Sequence, residues 1–230
     1  MTDPRTTPLA PLSGIDAAAG HGRRGIYDLV IMAFCVFLLL SNIGATKLIE
    51  FGPILTDGGA ILFPLTYILG DVLTEVYGLR GARRAIIAGF AVSILASLTF
   101  WLVQIAPAAA DYPNQAAFEA VLGVVPRFVL ASICGYLVGQ FLNAWVLVKI
   151  KSRTGEKALW ARLLGSTVVG EFADTLVFAA VAWIGVLAAP EFIQFVLIGF
   201  VYKTAVEVVM LPVTYRVIAV IKRQEGIAVR

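Results

Sequence analysis

The chain has 230 residues, 60% of them hydrophobic and 14% charged, with a mean hydropathy of +0.89. Soluble domains carry about 25% charged residues, so this composition points to an integral membrane protein. The net charge of +3 is spread over short loops and gives no nucleic-acid signal, and the long apolar runs exclude a closed β-barrel.

Residues 1–25 are rich in Pro, Ala, Gly and Thr and lack an apolar core. They are expected to form a disordered cytoplasmic tail rather than a signal peptide. Six apolar runs follow, at about 27–48, 58–77, 84–105, 127–149, 162–188 and 192–220. Each is long enough to cross a hydrocarbon core of roughly 30 Å. The expected organisation is an all-α transmembrane domain of six helices over 26–222, closed by a cytoplasmic tail at 223–230.

Basic residues set the orientation. Arg23 and Arg24 precede the first run, and Arg80, Arg83 and Arg84 lie between the second and third. Lys149, Lys151, Arg153, Lys157 and Arg162 lie between the fourth and fifth, and Arg216, Lys222 and Arg223 close the chain. The alternate loops carry Glu50, Asp57, Asp111, Glu119 and Glu191. Both termini are therefore expected in the cytoplasm.

The second run carries Asp71 and Glu75, four apart on one helical face. An acid at mid-membrane costs about 2.5–3.5 kcal/mol on insertion scales, so such acids are candidates for function. The fifth run carries Glu171 and Asp174, and the sixth carries Lys203 and Glu207. The bland alternatives are that Glu75 reaches headgroup water, that Glu171 and Asp174 pair with Lys203 or Arg127, and that Lys203 pairs with Glu207 inside its own helix. The core acids nevertheless outnumber Lys47, Arg127 and Lys203, so internal pairing cannot neutralise them all. Glu75, Arg127 and Glu207 are assigned to coupling or structure. Asn42, Gln140 and Asn143 are either interhelical glue or ligand contacts. Phe63, Tyr67 and Tyr202 are candidates to stack a planar ligand or to pack the core. Pro64 and Pro212 are expected to interrupt their spans.

Leu69-Gly70-Asp71 recurs as Val169-Gly170-Glu171, which suggests a 3+3 inverted repeat. Cys35 and Cys134 lie in apolar runs, and the one histidine, His21, lies in the tail. A histidine metal site or a Ser-His hydrolase has almost no raw material, and no cofactor is expected. An intramembrane aspartyl hydrolase would need two aspartates at close range. Asp71 and Asp174 formally supply them, but no recognised protease motif surrounds either, and the chain is expected not to be an enzyme.

A set of short stretches carries a family resemblance: Ser41-Asn42, Phe63-Pro64, Gly70-Asp71, Tyr77-Gly78, Ala82-Arg83-Arg84, Arg127, Gly139-Gln140, Ser166-Thr167, Gly170, Asp174-Thr175, Phe178, Tyr202, Lys203 and Pro212. In their order and spacing they resemble the vitamin uptake transporter family, whose assigned members are queuosine precursor transporters. The resemblance implies a multi-pass inner-membrane importer of 7-cyano-7-deazaguanine or its aminomethyl relative. It also implies a fold similar to the substrate-binding subunits of energy-coupling-factor transporters. An ATP-driven importer subunit is the alternative function. The family often has an acid three residues after the glutamine; here the residue is Asn143, a departure at a candidate contact. A deazaguanine offers N–H donors to a carboxylate, a carbonyl to an amide or to Lys203, and a flat ring to aromatics. The substrate-binding set is therefore Asn42, Phe63, Tyr67, Asp71, Gln140, Asn143, Glu171, Asp174, Thr175 and Lys203. The expected partners are a purine-like small molecule and the bilayer, and a homo-oligomer is left open.

Overall fold

The computed structural model describes residues 15–52, 54–154 and 159–226, with side chains from Gly25 onward except at 63, 147, 151 and 153–164. Helix α1 spans Ile15–Gly44, so it begins inside the stretch expected to be a tail; residues 1–14 and 227–230 lie outside the described residues. A hairpin follows, β1 (Leu48–Phe51) and β2 (Ile54–Asp57), paired antiparallel with Leu48 opposite Asp57. A 3-10 turn (Gly58–Ile61) leads into α2 (Phe63–Ile105). Then come α3 (Gln115–Leu122), α4 (Val125–Thr154), α5 (Leu159–Trp183) and α6 (Ala189–Gln224). Among the described residues, five helices are long and apolar enough to cross a membrane.

The longest of these helices is not continuous. Gly78 sits at φ 72°, ψ 177°, a conformation open to glycine and strained for other residues. Helix α1 meets the two arms in opposite senses. Ser41 Oγ donates to Gly59 O, just before the first arm, while the Tyr27 ring packs tilted against Tyr77 at its end. Along the second arm, Tyr27 OH donates to Gly81 O, and Phe34 and Leu38 lie against Gly89. The chain therefore reverses at Gly78, antiparallel to α1 before it and parallel after it.

Two expectations change here. The hairpin was not expected in an all-α chain: 49–57 read as the loop between the first two apolar runs. Instead the hairpin spans the gap from α1 to α2, with Lys47 O accepting from Gly58 N. Pro64 was expected to interrupt a span, but it lies in the first turn of α2. There its missing N–H costs nothing. Pro212 does lie inside α6.

Two apolar clusters cap the bundle. One gathers Val30, Phe34, Val72, Leu73, Ala82, Ala85 and Ile218 around the Gly78 reversal. The other gathers Ala45, Phe128, Ala131, Ala179, Trp183, Phe195 and Val196 beside the hairpin. Many remaining large apolar side chains point outward, among them Leu95, Leu98, Val208 and Val209, as a lipid-facing surface requires. A band of polar side chains lies between the clusters on α2, α5 and α6.

The candidate functional site

Close packing of α4 on α5 sets the site. A Cβ on Gly139 would stand 2.8 Å from Gly170 O, and one on Gly170 2.8 Å from the Asn143 Cβ. Small residues four apart let helix backbones approach this closely in a bilayer. The contact fixes the rotation of α5, so that Glu171 meets Tyr67 of α2 and Thr204 of α6, Thr175 faces α6, and Asp174 lies against Gly135 and Gly139 of α4 with its Oδ2 toward α6.

Helix α6 answers with Lys203, Thr204 and Glu207, three and four apart on one face. Lys203 Nζ donates to Asp174 Oδ2 at 2.7 Å, with the two side chains 20% and 29% exposed. Glu171 is buried, at 8% exposure. Tyr67 OH donates to its Oε1 at 3.2 Å. Thr204 Oγ1 lies 2.9 Å from its Oε2 and 3.0 Å from Phe200 O, so one hydroxyl hydrogen serves two acceptors. Glu207 lies within electrostatic reach of Glu171. Of the bland readings, pairing of Lys203 with an acid of α5 describes the geometry; its partner there is Asp174.

Two buried polar atoms in this region have no hydrogen-bond partner: Thr175 Oγ1 and Asn143 Oδ1. Thr175 is 2% exposed and its methyl lies against Gly199 of α6. An unpaired buried polar atom costs about 1–3 kcal/mol, so these two are the natural acceptors or donors for a bound molecule.

Other expected site residues are placed elsewhere. Asn42 is buried; it accepts from Ser132 Oγ at 2.7 Å and donates to Leu38 O, which makes it a tie between α1 and α4. Asp71 lies one turn beyond Tyr67 and is exposed, as is Gln140, which follows the packed Gly139 and turns away from α5. Phe63 begins α2; its side chain lies outside the described residues. Tyr202 OH donates to Ala60 O, so its ring is tied to the 3-10 turn. Among the described residues, Arg127 meets no acid. Its Nε donates to Val181 O at 2.7 Å and its Nη2 to Ile184 O, the free carbonyls at the end of α5. Glu75 pairs with Lys222 at 2.6 Å, away from the site.

Two contributors were not anticipated. Thr204 gave no signal, since threonines within spans often bond only their own helix. Asp57 sits in Thr-Asp-Gly-Gly, a turn signature. It is buried, and its Oδ1 accepts from Gly59 N at 2.9 Å. Burial pushes its carboxyl up to about 6, while the Gly59 N–H and the charge of Lys203 act the other way. An acid with a raised folded-state value loses stability as pH rises from its unfolded toward its folded value. Thermal unfolding should therefore show lower stability at about pH 7 than at about pH 4 from this residue, and Asp57→Asn should flatten that step. An unchanged pH profile in the variant would remove Asp57 as its source.

The family described as "Putative vitamin uptake transporter" matches residues 57–217. The chain is 30% identical over 200 residues to the "Probable queuosine precursor transporter" of Bacillus subtilis (strain 168), covering 85% of this chain and 84% of that protein. It is 26% identical over 166 residues to the "Queuosine precursor transporter" of Escherichia coli (strain K12), covering 71% and 72%. A relative in Haemophilus influenzae is 22% identical over 192 residues, covering 82% and 78%. No solved structure matches the chain. The matched region takes in every residue of the polar band between α2, α5 and α6, and the chain belongs to the vitamin uptake transporter family.

Proposed function

We propose that this protein is an inner-membrane importer of queuosine precursors, 7-cyano-7-deazaguanine or 7-aminomethyl-7-deazaguanine, with both termini in the cytoplasm. The names of its relatives support the substrate class. The reversal at Gly78 supports counting α2 as two spans, six in all, with Arg80, Arg83 and Arg84 beside a cytoplasmic turn. The polar band carries the site: a buried carboxylate, an ion pair and two unpartnered polar atoms between apolar caps. Asp174 offers Oδ1 to the N–H donors of the heterocycle while Lys203 holds Oδ2. Thr175 and Asn143 fix the orientation, and Tyr67 borders the ring. The suggested inverted repeat and the likeness to energy-coupling-factor subunits have no comparable support. Gly70 is open where Gly170 is clamped, and Asp71 is exposed where Glu171 is buried.

The test is binding and uptake by purified protein in liposomes. Both deazaguanines should bind, and guanine should bind less well. Asp174→Asn, which replaces an acceptor with a donor, should weaken binding about tenfold or more, and Glu50→Ala should not. Equal affinity for wild type and a folded Asp174→Asn protein would refute the site. Binding without uptake by the chain alone would favour the subunit of an ATP-driven importer.

A further inference from the structure

Helix α6 is tied to two different parts of the bundle, and Pro212 stands between them. Ahead of the proline, Lys203 pairs with Asp174 and Thr204 meets Glu171, both on α5. Tyr202 is tied to the 3-10 turn, and Phe195 and Val196 pack into the apolar cap beside the hairpin. Past the proline the partners change to the Gly78 reversal. Ile218 is buried in the other cap with Val72, Leu73, Ala82 and Ala85 of the two arms, and Val217 and Ile221 pack around it. Two polar ties finish the helix. Tyr77 OH donates to Glu225 Oε1 at 3.1 Å, and Lys222 Nζ donates to Glu75 Oε1 at 2.6 Å. Glu225 is buried, and the Tyr77 ring is held in turn by Tyr27, 4.8 Å away. One half of α6 therefore belongs to the site and the other half to the cap below it. Pro212 has no N–H to give the Val208 carbonyl, and its ring crowds that carbonyl. Helices bend sharply at such places. Val208 and Val209, just before the proline, are exposed and outside both caps.

We propose that α6 past Pro212 is the inner gate of the transporter, with Glu75, Tyr77, Lys222 and Glu225 as its latch. In this structure the gate is closed. Bending at Pro212 carries Ile218 out of the cap and separates both ties. It opens a path from the level of Glu171 and Asp174 to the cytoplasm, while Lys203 and Thr204 stay against α5. This rests on the transport reading and the orientation given above, and adds the moving part. An ion pair whose acid is largely in water and one hydroxyl–carboxylate bond hold the latch, ties weak enough to break once per cycle.

Two experiments test it, both in a Cys35→Ala, Cys134→Ala background. In the first, Glu75→Cys and Lys222→Cys are joined by a bis-maleimide that carries a disulfide in its linker. In liposomes the linked protein should bind 7-cyano-7-deazaguanine within about twofold of the unlinked protein. It should import it at less than about a tenth of the unlinked rate, and reductant that cuts the linker should restore uptake. The second experiment needs no substrate. Ile218→Cys places a thiol in the closed cap, so its labelling by a water-soluble maleimide reports opening. Tyr77→Phe removes one tie and should speed that labelling about two- to tenfold. Pro212→Ala restores the missing N–H and should slow it severalfold. Ala179→Cys, buried in the outer cap, should keep its rate in both variants, which separates gating from general loosening. Uptake by the linked protein at the unlinked rate, or labelling at 218 that neither variant changes, would overturn the gate. A chain whose labelling follows latch and hinge but that binds no deazaguanine overturns the substrate reading alone.

Discussion

Lys203→Met is expected to be the most damaging single substitution of a charged residue in this chain. It leaves Asp174 in the bundle without its 2.7 Å partner. Removing one member of a buried pair typically costs about 3–5 kcal/mol. Exposures of 20% and 29% place this pair toward the lower end, at roughly 3 kcal/mol. The double variant Lys203→Met with Asp174→Asn should recover much of that stability, because no uncompensated charge remains, but should not recover substrate affinity. Lys222→Met serves as the contrast. Its partner Glu75 is 59% exposed, and surface pairs are worth about 0–1 kcal/mol. Thermal unfolding in detergent, with ligand binding in parallel, reads all four proteins. Equal losses for Lys203→Met and Lys222→Met would mean that the inner pair is solvated like the outer one.

Gly170→Ala should destabilise by about 1–3 kcal/mol, the usual range for overpacking. Its new methyl would meet the Asn143 Cβ at 2.8 Å and Gly139 O at 2.9 Å, so α4 and α5 must separate. That separation also shifts Asp174, whose Cβ lies 2.9 Å from where a Gly139 Cβ would stand. Binding should therefore fall along with stability. Gly70→Ala has nothing within 4 Å of its new methyl and should be neutral, or gain up to about 1 kcal/mol of helix propensity. The two glycines sit in similar tripeptides, so the pair of variants separates packing from propensity. A neutral Gly170→Ala would show that α4 can move without cost.

The spans were legible because twenty apolar residues in a row allow few structures in a bilayer. The acids and the lysine inside them stood out for the same reason: Asp174, Glu171 and Lys203 are costly where they are and meet each other or hydroxyls. Partner choice was less legible, since it depends on helix rotation. Asn42 read as interhelical glue or a ligand contact, and Arg127 as a structural or coupling residue; the sequence could not name Ser132, Val181 and Ile184 as the groups they meet. Gln140, three residues from Asn143, suggested a shared face. The packed stripe instead runs through Gly135, Gly139 and Asn143 at intervals of four, and Gln140 lies about 100° off it. The hairpin was missed because its strands are only four residues each and fall in the short stretch between two apolar runs, which read as a loop. The reversal at Gly78 was expected as a loop reaching 84, but helix resumes at once after the glycine.

The turn at Gly78 bears on how the protein is made. Two arms joined through one residue leave no slack for the ribosome or the translocon to treat them separately. Neither arm can be threaded across the membrane and wait for the other, because Arg80, Arg83 and Arg84 resist translocation. On the six-span reading proposed above, the arms enter the bilayer together, as a bent pin pushed in from its open end. The first arm, 63–77, is roughly 22 Å long at helical rise, shorter than the hydrocarbon core, so it gains a full crossing only with the 3-10 turn and hairpin ahead of it.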